Sequence, residues 1–403
     1  MSVSRAFGCL CATAGIIVAD GVCSVAWAQA KMSFEIYGFV QADASYDTNR
    51  MDPAWDDAFR PSKIPTEEGK FGGDGQSSVS VKQSRFGVQG NLPIGDDLGP
   101  LNFRFEFDFF GVGVDAGQTT IRLRHFYGEW RSLLAGQTNS LFMDGDVFPN
   151  TIEYWGPTGM VFYRNVQLRW TPFRTDRSHF AVAIERPGND IDAGQIRQFD
   201  PTLGQNIKND EELPDFTAQF RTSGPRWHFL VGGIVRHVGF ETLDTPDNEP
   251  TGSDTGWGVN VAGHVNLFRR DKLMGQVVYG HGIASYMNDG GMDLAPDGTF
   301  GDPEAKAVPL LGWLIYYDHY WSDRWSSSIG YSVTQVDNTA LQESTAYHKG
   351  DYASVNLLYT PTPNLLIGAE AIWGQRTDND GRSADDFRFQ FSIKYSFSRQ
   401  FAL

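Results

Sequence analysis

The sequence is poor in cysteine. Its three cysteines are Cys9, Cys11 and Cys23. All three lie in an N-terminal segment where Arg5 precedes an apolar stretch, 6–19, and small residues surround Ala28. This arrangement predicts a signal peptide over residues 1–28 that is cleaved after Ala28. The predicted mature domain, 29–403, therefore has no cysteine, and disulfide bonds are excluded as the source of its stability.

Long hydrophobic runs are also missing. The stretch 6–19 is too short to cross a bilayer, and no other stretch approaches the roughly 18 to 20 apolar residues that a transmembrane helix needs. A lipid anchor at Cys23 is disfavoured because Asp20 places a charge where small and apolar residues are required. The sequence predicts an exported chain without a helical or lipid anchor.

Positive charge is scarce. The chain carries 33 Lys and Arg against 49 Asp and Glu, which gives a net charge of −16. Removal of the predicted leader leaves this value unchanged because Arg5 and Asp20 cancel. Such an acidic chain is not expected to bind nucleic acid.

Motifs for catalysis and for metal binding are absent as well. The 8 histidines include no pair at i, i+4, and no Gly-x-Ser-x-Gly motif occurs. The sequence therefore predicts no catalytic residues, no cofactor and no metal site, and we do not expect an enzyme.

What the sequence does contain is a two-residue alternation of apolar and polar side chains. Near the C-terminus Phe387, Phe389 and Phe391 alternate with polar residues, and Phe103 to Phe109 alternate with Arg104, Glu106 and Asp108. A soluble β-sandwich would place the apolar face in a core, whereas a membrane barrel would place it against lipid. Alternation alone does not choose between these two folds.

Connection lengths favour the membrane barrel. Alternation and turn residues predict sixteen strands: 33–46, 78–92, 99–111, 119–130, 132–138, 163–173, 178–187, 213–223, 226–240, 255–268, 272–287, 307–321, 324–337, 347–360, 363–376 and 385–397. Every even strand is followed by a tight turn, whereas the odd strands are followed by longer segments such as 47–77, 139–162 and 188–212. Short periplasmic turns and long extracellular loops are typical of outer-membrane barrels. We therefore predict an all-β, 16-stranded antiparallel transmembrane barrel with an aqueous channel and both termini in the periplasm.

Several motifs resemble a known family. Ser84 to Gly90 is similar to the second-strand motif of Gram-negative trimeric porins, and the stretches 123–130, 134–138 and 142–144 resemble DcaP-like porins. This resemblance covers the whole predicted mature chain. It implies a homotrimer in the outer membrane, a third long loop that folds into the barrel, and arginines that attract small anionic solutes such as dicarboxylates.

The sequence departs from the family pattern at both ends. The first predicted strand begins close to the predicted cleavage site, without an N-terminal coiled-coil extension. The chain also continues past Phe397, where many barrels end on an aromatic residue. Either the signal for the barrel-insertion machinery lies at Phe397 with a short tail after it, or the last strand is longer than 385–397.

The alternation assigns a set of arginines to the channel side. They are Arg85, Arg104, Arg122, Arg124, Arg169, Arg221 and Arg236. Rings of arginine in a confined lumen concentrate anions. Each arginine could instead be a solvated residue balanced by a nearby acid such as Glu106 or Asp108. We expect Arg104, Arg122 and Arg124, on adjacent strands, to form the anion-attracting wall.

The segment 139–162 is the predicted constriction loop. Its candidate residues are Asp144, Asp146, Glu153, Tyr154 and Trp155. Its length and aromatic content suit a loop folded against the channel wall, and the alternative is an ordinary surface loop.

Two other loops, 241–254 and 288–304, carry five acidic residues each and no Lys or Arg. Calcium prefers oxygen ligands of this type, but the spacing does not match an EF-hand. We expect solvated loops that contact lipopolysaccharide and outer-membrane lipid through divalent cations.

The predicted function of the whole chain is a passive porin, and the alternative is a barrel-embedded hydrolase or a structural barrel without transport.

Overall fold

The computed structural model describes residues 32–95, 98–199, 206–268 and 270–402. The predicted signal peptide, 1–28, lies outside the described residues. None of the helices in the described part of the chain is long and apolar enough to span a membrane.

Strands make up most of the chain. They are β1 Ser33–Asp47, β2 Gln76–Ser80, β3 Arg85–Pro93, β4 Pro100–Phe110, β5 Thr119–Trp130, β6 Leu133–Asn139, β7 Arg164–Arg174, β8 Ser178–Glu185, β9 Ile207–Asn209 and β10 Asp215–Gly224. They continue with β11 Trp227–Thr242, β12 Gly252–Leu267, β13 Asp271–His281, β14 Leu294–Thr299, β15 Asp302–Ala307, β16 Pro309–Tyr320, β17 Trp325–Val336, β18 Tyr347–Thr362, β19 Leu365–Asp378 and β20 Ser383–Ala402. The helices are one α-helix, α1 Ile196–Phe199, and the 3-10 helices Pro53–Trp55, Pro61–Lys63, Gly113–Asp115, Gly145–Val147 and Ala284–Tyr286.

The strands form a closed 16-stranded antiparallel barrel, which confirms the predicted fold class. β2 and β3 both pair with β1 and together make the second crossing of the barrel. β9 adds to the end of β11, and β14 with β15 forms a separate hairpin. The barrel closes where β20 pairs with β1, from Ser33 opposite Ala402 to Asp47 opposite Arg388.

Three predicted strands differ from the structure by an interruption or by a large shift of an end, and the other strand ends differ by at most a few residues. The strand predicted over 78–92 is interrupted between β2 and β3, because Lys82 and Gln83 turn their side chains into the barrel. Lys82 pairs there with Asp57 at 2.7 Å, and Gln83 Nε2 donates to Asp43 at 2.9 Å.

The strand predicted over 272–287 ends at His281, because Gly282 adopts a positive φ of 62° and starts a turn. The strand predicted over 385–397 continues to Ala402, so residues 398–402 are strand and not a tail.

The outer surface has the predicted apolar face. Phe387, Phe389 and Phe391 on β20 are exposed on the outside, as are Phe105 on β4 and Phe126 on β5. These side chains lie on the face that alternation assigned to lipid.

The inside of the barrel is only partly polar. On β11, β13 and β16, inward-facing residues such as Ile234, Val278 and Leu310 are apolar and buried. They pack against apolar residues of the loops that fold inward, including Phe142 and Val161. A second apolar cluster joins Met51 and Phe59 of the first loop to Leu314 and Tyr352 of the wall. Folded loops therefore fill one side of the lumen that sixteen strands alone would leave open.

Deletion of residues 398–403 tests the contribution of the last strand's end. It removes the partners of Ser33 to Tyr37 on β1 and the ring stacking of Phe34 on Phe401, whose centroids are 5.0 Å apart. We expect the shortened barrel to convert from its folded to its unfolded gel mobility at a lower temperature in SDS. Phe401→Leu keeps the strand and should have a smaller effect. Equal transition temperatures for the deletion and the full chain would contradict this prediction.

Candidate functional site

The loop between β6 and β7, residues 140–163, enters the barrel and lies along its inner wall. We call it the inserted loop. Its two ends meet where Ser140 N–H donates to the Tyr163 carbonyl at 3.0 Å. Amide side chains from the wall then hold its backbone: Gln219 Nε2 donates to the Leu141 carbonyl and Asn260 Nδ2 to the Phe142 carbonyl, each at 2.8 Å.

The far end of the inserted loop reaches the last strands. Glu370 Oε2 on β19 accepts from the Ile152 N–H at 2.6 Å, and Asn356 Nδ2 on β18 donates to the Asn150 carbonyl at 2.8 Å. Gly159 lies so close to the wall that a Cβ atom would stand 2.1 Å from the Val333 carbonyl oxygen. The inserted loop thus covers the wall from β10 to β20 and leaves space on the side of β3 to β7.

Four arginines and two acids occupy that open side. We call Arg85, Arg104, Arg122, Arg124, Glu106 and Asp108 the arginine wall. The register of β3, β4 and β5 places Asp108 between Arg85 and Arg122. Arg122 binds Asp108 with both ends of its guanidinium group, at 3.0 and 2.7 Å. Glu106 receives Arg124 at 2.8 Å, Arg104 at 2.6 Å and Arg85 at 3.5 Å.

A β-bulge concentrates these groups. The pairing of β4 with β5 shifts between Glu106 and Phe107, so that Arg124 and His125 share one position opposite β4. Both side chains are buried inside the barrel, and the next residue, Phe126, points outward. Arg124 thereby spans the two acids, with Nε at 2.8 Å from Glu106 and Nη1 at 2.7 Å from Asp108.

Tyr154 connects the inserted loop to the arginine wall. Its hydroxyl donates to Asp108 at 2.7 Å and accepts from Arg124 Nη1 at 2.9 Å. Its ring stacks on Phe110 with centroids 4.1 Å apart. Tyr154, a candidate residue of the predicted constriction loop, therefore sets the distance between the inserted loop and the arginine wall.

Arg164 is the unpaired cation of this region. No salt bridge or side-chain hydrogen bond joins it to another described residue, and its Nη1 is buried without a partner. Its guanidinium carbon stands 5.0 Å from the centre of the Phe162 ring. The N–H groups of Arg164 that have no protein partner are available to donate hydrogen bonds to a ligand.

A cavity of 480 Å³ lies between the inserted loop and the strands β5 to β7. Its polar lining includes Arg60, Arg122, Arg164 and Asp190. Burial raises the pKa of Asp190, and Asp293 raises it further, so the acid of this lining is harder to ionise than a free aspartate. Positive charge therefore predominates in the cavity.

The first loop, between β1 and β2, also takes part. Arg60 binds Asp289 through Nε at 3.0 Å and Nη2 at 2.9 Å. Its guanidinium carbon lies 4.3 Å from the ring centre of Trp55 and 4.8 Å from that of Trp155. The predicted residue Trp155 thus packs against a cation of another loop, and its Nε1 donates to the Asn288 carbonyl at 2.6 Å.

The remaining predicted arginines lie away from this cluster. Arg236 was predicted to line the channel, and this is wrong: it is buried, held by Asp215 and Asp293 at 3.3 and 3.2 Å, and covered by Tyr286. The two acids neutralise the charge of Arg236. The loop that follows β13 covers its guanidinium group and accepts a hydrogen bond from it through the Gly282 carbonyl. Arg169 donates to the Asn139 carbonyl at 2.6 Å, and Arg221 pairs with Asp146 on the opposite side of the lumen.

The acids of the inserted loop are not on the arginine wall. Asp144 is buried against His228 of β11, and Asp146 faces Arg221 of β10. Glu153 is buried and accepts the Phe59 N–H at 2.9 Å and the Gly156 N–H at 2.6 Å. Among the loop residues predicted from the sequence, Tyr154 and Trp155 reach the cavity, and the three acids hold the loop in place.

Sequence reasoning missed Arg164 and Arg60. Arg164 begins β7 at the point where the chain leaves the lumen, so the alternation that holds for Asn165 to Trp170 does not give its direction. Arg60 belongs to a loop without periodicity. The Trp55 and Trp155 rings beside it were the available sequence signal, but only the fold brings them together.

Gly159→Val tests the contact between the inserted loop and the wall. A side chain at this position would collide with backbone atoms of β16 and β17, so we expect the loop to move toward the arginine wall and the single-channel conductance to fall. Gly145→Ala is the matched control, because a Cβ atom there meets its nearest neighbours at 3.7 Å. Unchanged conductance in the Gly159 variant, with a normal folded band on SDS gels, would show that this contact does not set the pore size.

Comparisons with known proteins agree with this architecture. The sequence model of the DcaP outer membrane protein family matches residues 19–397. No protein with curated annotation matched the chain. The outer membrane channel DcaP of Acinetobacter baumannii superposes with a TM-score of 0.73 at 23% identity, covering 91% of this chain and 97% of that chain.

Two further structures share the fold at lower identity. The anion-selective porin from Comamonas acidovorans has a TM-score of 0.59 at 10% identity, covering 91% of this chain and all of its own. OmpT of Vibrio cholerae in its trimer form gives 0.54 at 11% identity, with the same coverage. Together with the family match, these likenesses identify an outer-membrane porin barrel, and the chain belongs to the DcaP outer membrane protein family.

Proposed function

We propose that this porin is a passive diffusion channel that prefers small anionic solutes, dicarboxylates among them. Solutes would pass between the inserted loop and the arginine wall. The proposal includes a homotrimer in the outer membrane, reached by export with the signal peptide 1–28.

The observation that carries the proposal is the charge balance around the cavity. On the arginine wall, four guanidinium groups meet two carboxylates, and Arg164 adds a cation without an acidic partner. At an effective dielectric of about 20, two unit charges about 4 Å apart interact by about 4 kcal/mol. Even a fraction of this attraction would raise anion occupancy severalfold over that of cations.

The shape of the donors supports the proposed preference for dicarboxylates. Guanidinium groups bind carboxylates with two parallel hydrogen bonds. Arg122 and Arg164 line the same cavity, and Arg122 already carries one carboxylate, that of Asp108. A solute with two carboxylates could occupy Arg164 with one group and interact with the excess charge of the arginine wall with the other.

A barrel-embedded hydrolase is the alternative from another class. Such an enzyme would need a serine and a histidine in hydrogen-bond contact on the lipid face, and the structure offers no such contact in its described residues. A structural barrel without transport would have no need for an unpaired arginine beside a cavity. The channel is therefore the better-supported proposal.

The proposed partners other than solutes follow from location. The acidic extracellular loops would contact lipopolysaccharide through divalent cations, and the outward aromatic residues of β20 would contact lipid. We also propose that the C-terminal strand carries the signal for the barrel-insertion machinery. Because β20 extends to Ala402, that signal includes Phe401 as well as Phe397.

Arg164→Gln tests the charge of the cavity. It removes one cation that no described residue neutralises, so neighbouring acids lose no partner and the fold should persist. We expect the anion-to-cation permeability ratio, from the reversal potential in a KCl gradient, to fall severalfold, and dicarboxylate flux into liposomes to fall with it. Arg177→Gln, at an exposed periplasmic turn, is the matched control and should change neither. An unchanged ratio in the Arg164 variant would refute the proposed anion site.

The double variant Arg122→Glu/Arg124→Glu is a stronger test of the arginine wall. It reverses two charges that now face Asp108 and Glu106, so we expect selectivity to shift toward cations. The barrel must first be shown to fold by its gel mobility, because four acids would then share this site. The same anion-to-cation ratio and flux as the wild type would exclude these arginines as the filter.

The trimer is tested by native mass spectrometry in mild detergent. We expect a trimer mass, and anomalous migration of unheated samples on SDS gels. The support is the family resemblance and the trimer form of a porin with the same fold. A folded monomer as the sole species would contradict this part of the proposal.

A further inference from the structure

On the side of the lumen opposite the arginine wall, the inserted loop meets the barrel through histidines. Asp144 and Asp146 of the loop and His228 of β11 each offer one ligand atom, and these atoms all lie within 4.8 Å of one another. His228 Nε2 is 2.5 Å from Asp144 Oδ2. We propose that His228, Asp144 and Asp146 form a binding site for a divalent transition-metal ion such as Zn²⁺, which ties the inserted loop to the wall.

The ligand types point to this class of ion. Imidazole nitrogen with carboxylate oxygen is a donor set that Zn²⁺ accepts, whereas Ca²⁺ requires six to eight oxygen atoms. The site takes two ligands from the inserted loop and one from β11. A bound ion would therefore link the loop to the barrel wall. His228 and Asp144 are buried, and the side chain of Asp146 is 55% exposed, so an ion could enter from the channel.

A second histidine stands behind the first. His264 of β12 places its Nδ1 2.5 Å from Nδ1 of His228, and the two rings cross at 70° with centroids 4.3 Å apart. A metal-binding histidine commonly donates its other ring N–H to a neighbouring acceptor, which fixes the tautomer and the direction of the ring. In this structure Nε2–H of His228 donates to Asp144, whereas with the ion bound His228 Nδ1–H would donate to His264 and the lone pair of Nε2 would bind the ion. His264 is therefore a positioning residue and not a ligand.

The positive residues around the site set its balance of charge. Arg221 of β10 pairs with Asp146 and lies 3.6 Å from Asp144, and Lys272 of β13 donates to the backbone carbonyl of Asp146. An entering ion must share the two carboxylates with Arg221. Because Asp146 is exposed, Arg221 can turn toward the channel when the ion binds, and the site would exchange ions rather than trap them.

The test is zinc binding to the untagged, folded protein in detergent, measured by calorimetry and by the shift of the thermal unfolding temperature. We expect Zn²⁺ to bind and to raise the unfolding temperature, since a ligand that binds only the folded state stabilises it. Ca²⁺ at the same concentration should have little effect. His228→Gln should abolish binding, and His264→Gln should weaken it by about 10- to 100-fold.

A second group of residues serves as the control. Asp210, Glu212 and His237 form another set with metal-ligand spacing on the extracellular side of the barrel. His237→Gln should leave the tightest Zn²⁺ binding unchanged. If His228→Gln does not fold, Asp146→Asn decides, because its side chain is half exposed, and the variant should lose most of the affinity. No zinc binding by the wild type, or binding that survives His228→Gln and disappears in His237→Gln, would overturn the proposal.

Discussion

Closure of the sheet is the constraint on which the rest of this structure depends. In hydrocarbon, an unpaired backbone N–H or C=O group costs several kcal/mol, so a spanning sheet cannot keep a free edge. Here β1 pairs with β20 along its whole length, from Ser33 to Asp47. Residues 398–402 belong to this seam and would be superfluous in a barrel that ended at Phe397. The chain has no cysteine after Cys23, so this hydrogen-bonded ring takes the place of covalent links.

Closure of the sheet does not satisfy the backbone hydrogen bonds of the loops that fold into the lumen, and these loops need other partners. Their carbonyl groups are satisfied by amide side chains of the wall, such as Gln219, Asn260 and Asn356. Their apolar residues are covered by inward-facing wall residues such as Val278 and Leu310. The wall from β10 to β20 therefore binds the inserted loop, whereas the wall from β5 to β7 borders the cavity. The arginine wall lies across the lumen from most of the inserted loop, which reaches it through Tyr154.

The sequence predicts this fold well along regular strands, where the alternation of apolar and polar residues alone gives the direction of each side chain. Along β4 and β20 every side chain faces either lipid or lumen, and alternation assigns Phe105, Glu106 and Phe107 correctly. Alternation does not predict the surroundings of a residue that also contacts a loop folded into the barrel. Arg236 has the predicted phase, but a loop from a distant part of the chain buries it, and Arg164 lies at a strand start where phase is undefined. Residues of the first loop, such as Arg60, follow no period. Alternation therefore gives the direction of arginines inside regular strands, such as Arg104 and Arg122, but it does not give the direction of Arg164 at a strand start or the loop that buries Arg236.

The net charge of −16 and the proposed anion preference of the cavity are compatible because charge acts locally in salt solution. At physiological ionic strength the Debye length is about 8 Å, so acids at the extracellular loops are screened from the interior of the barrel. Many of the acids lie in those loops, as Asp244, Asp247 and Glu249 do, whereas Arg122 and Arg164 lie beside a cavity with low-dielectric walls. Buried pairs are screened much less than exposed ones. The electrostatic field at the cavity is thus set by a few nearby side chains and not by the net charge of the whole chain.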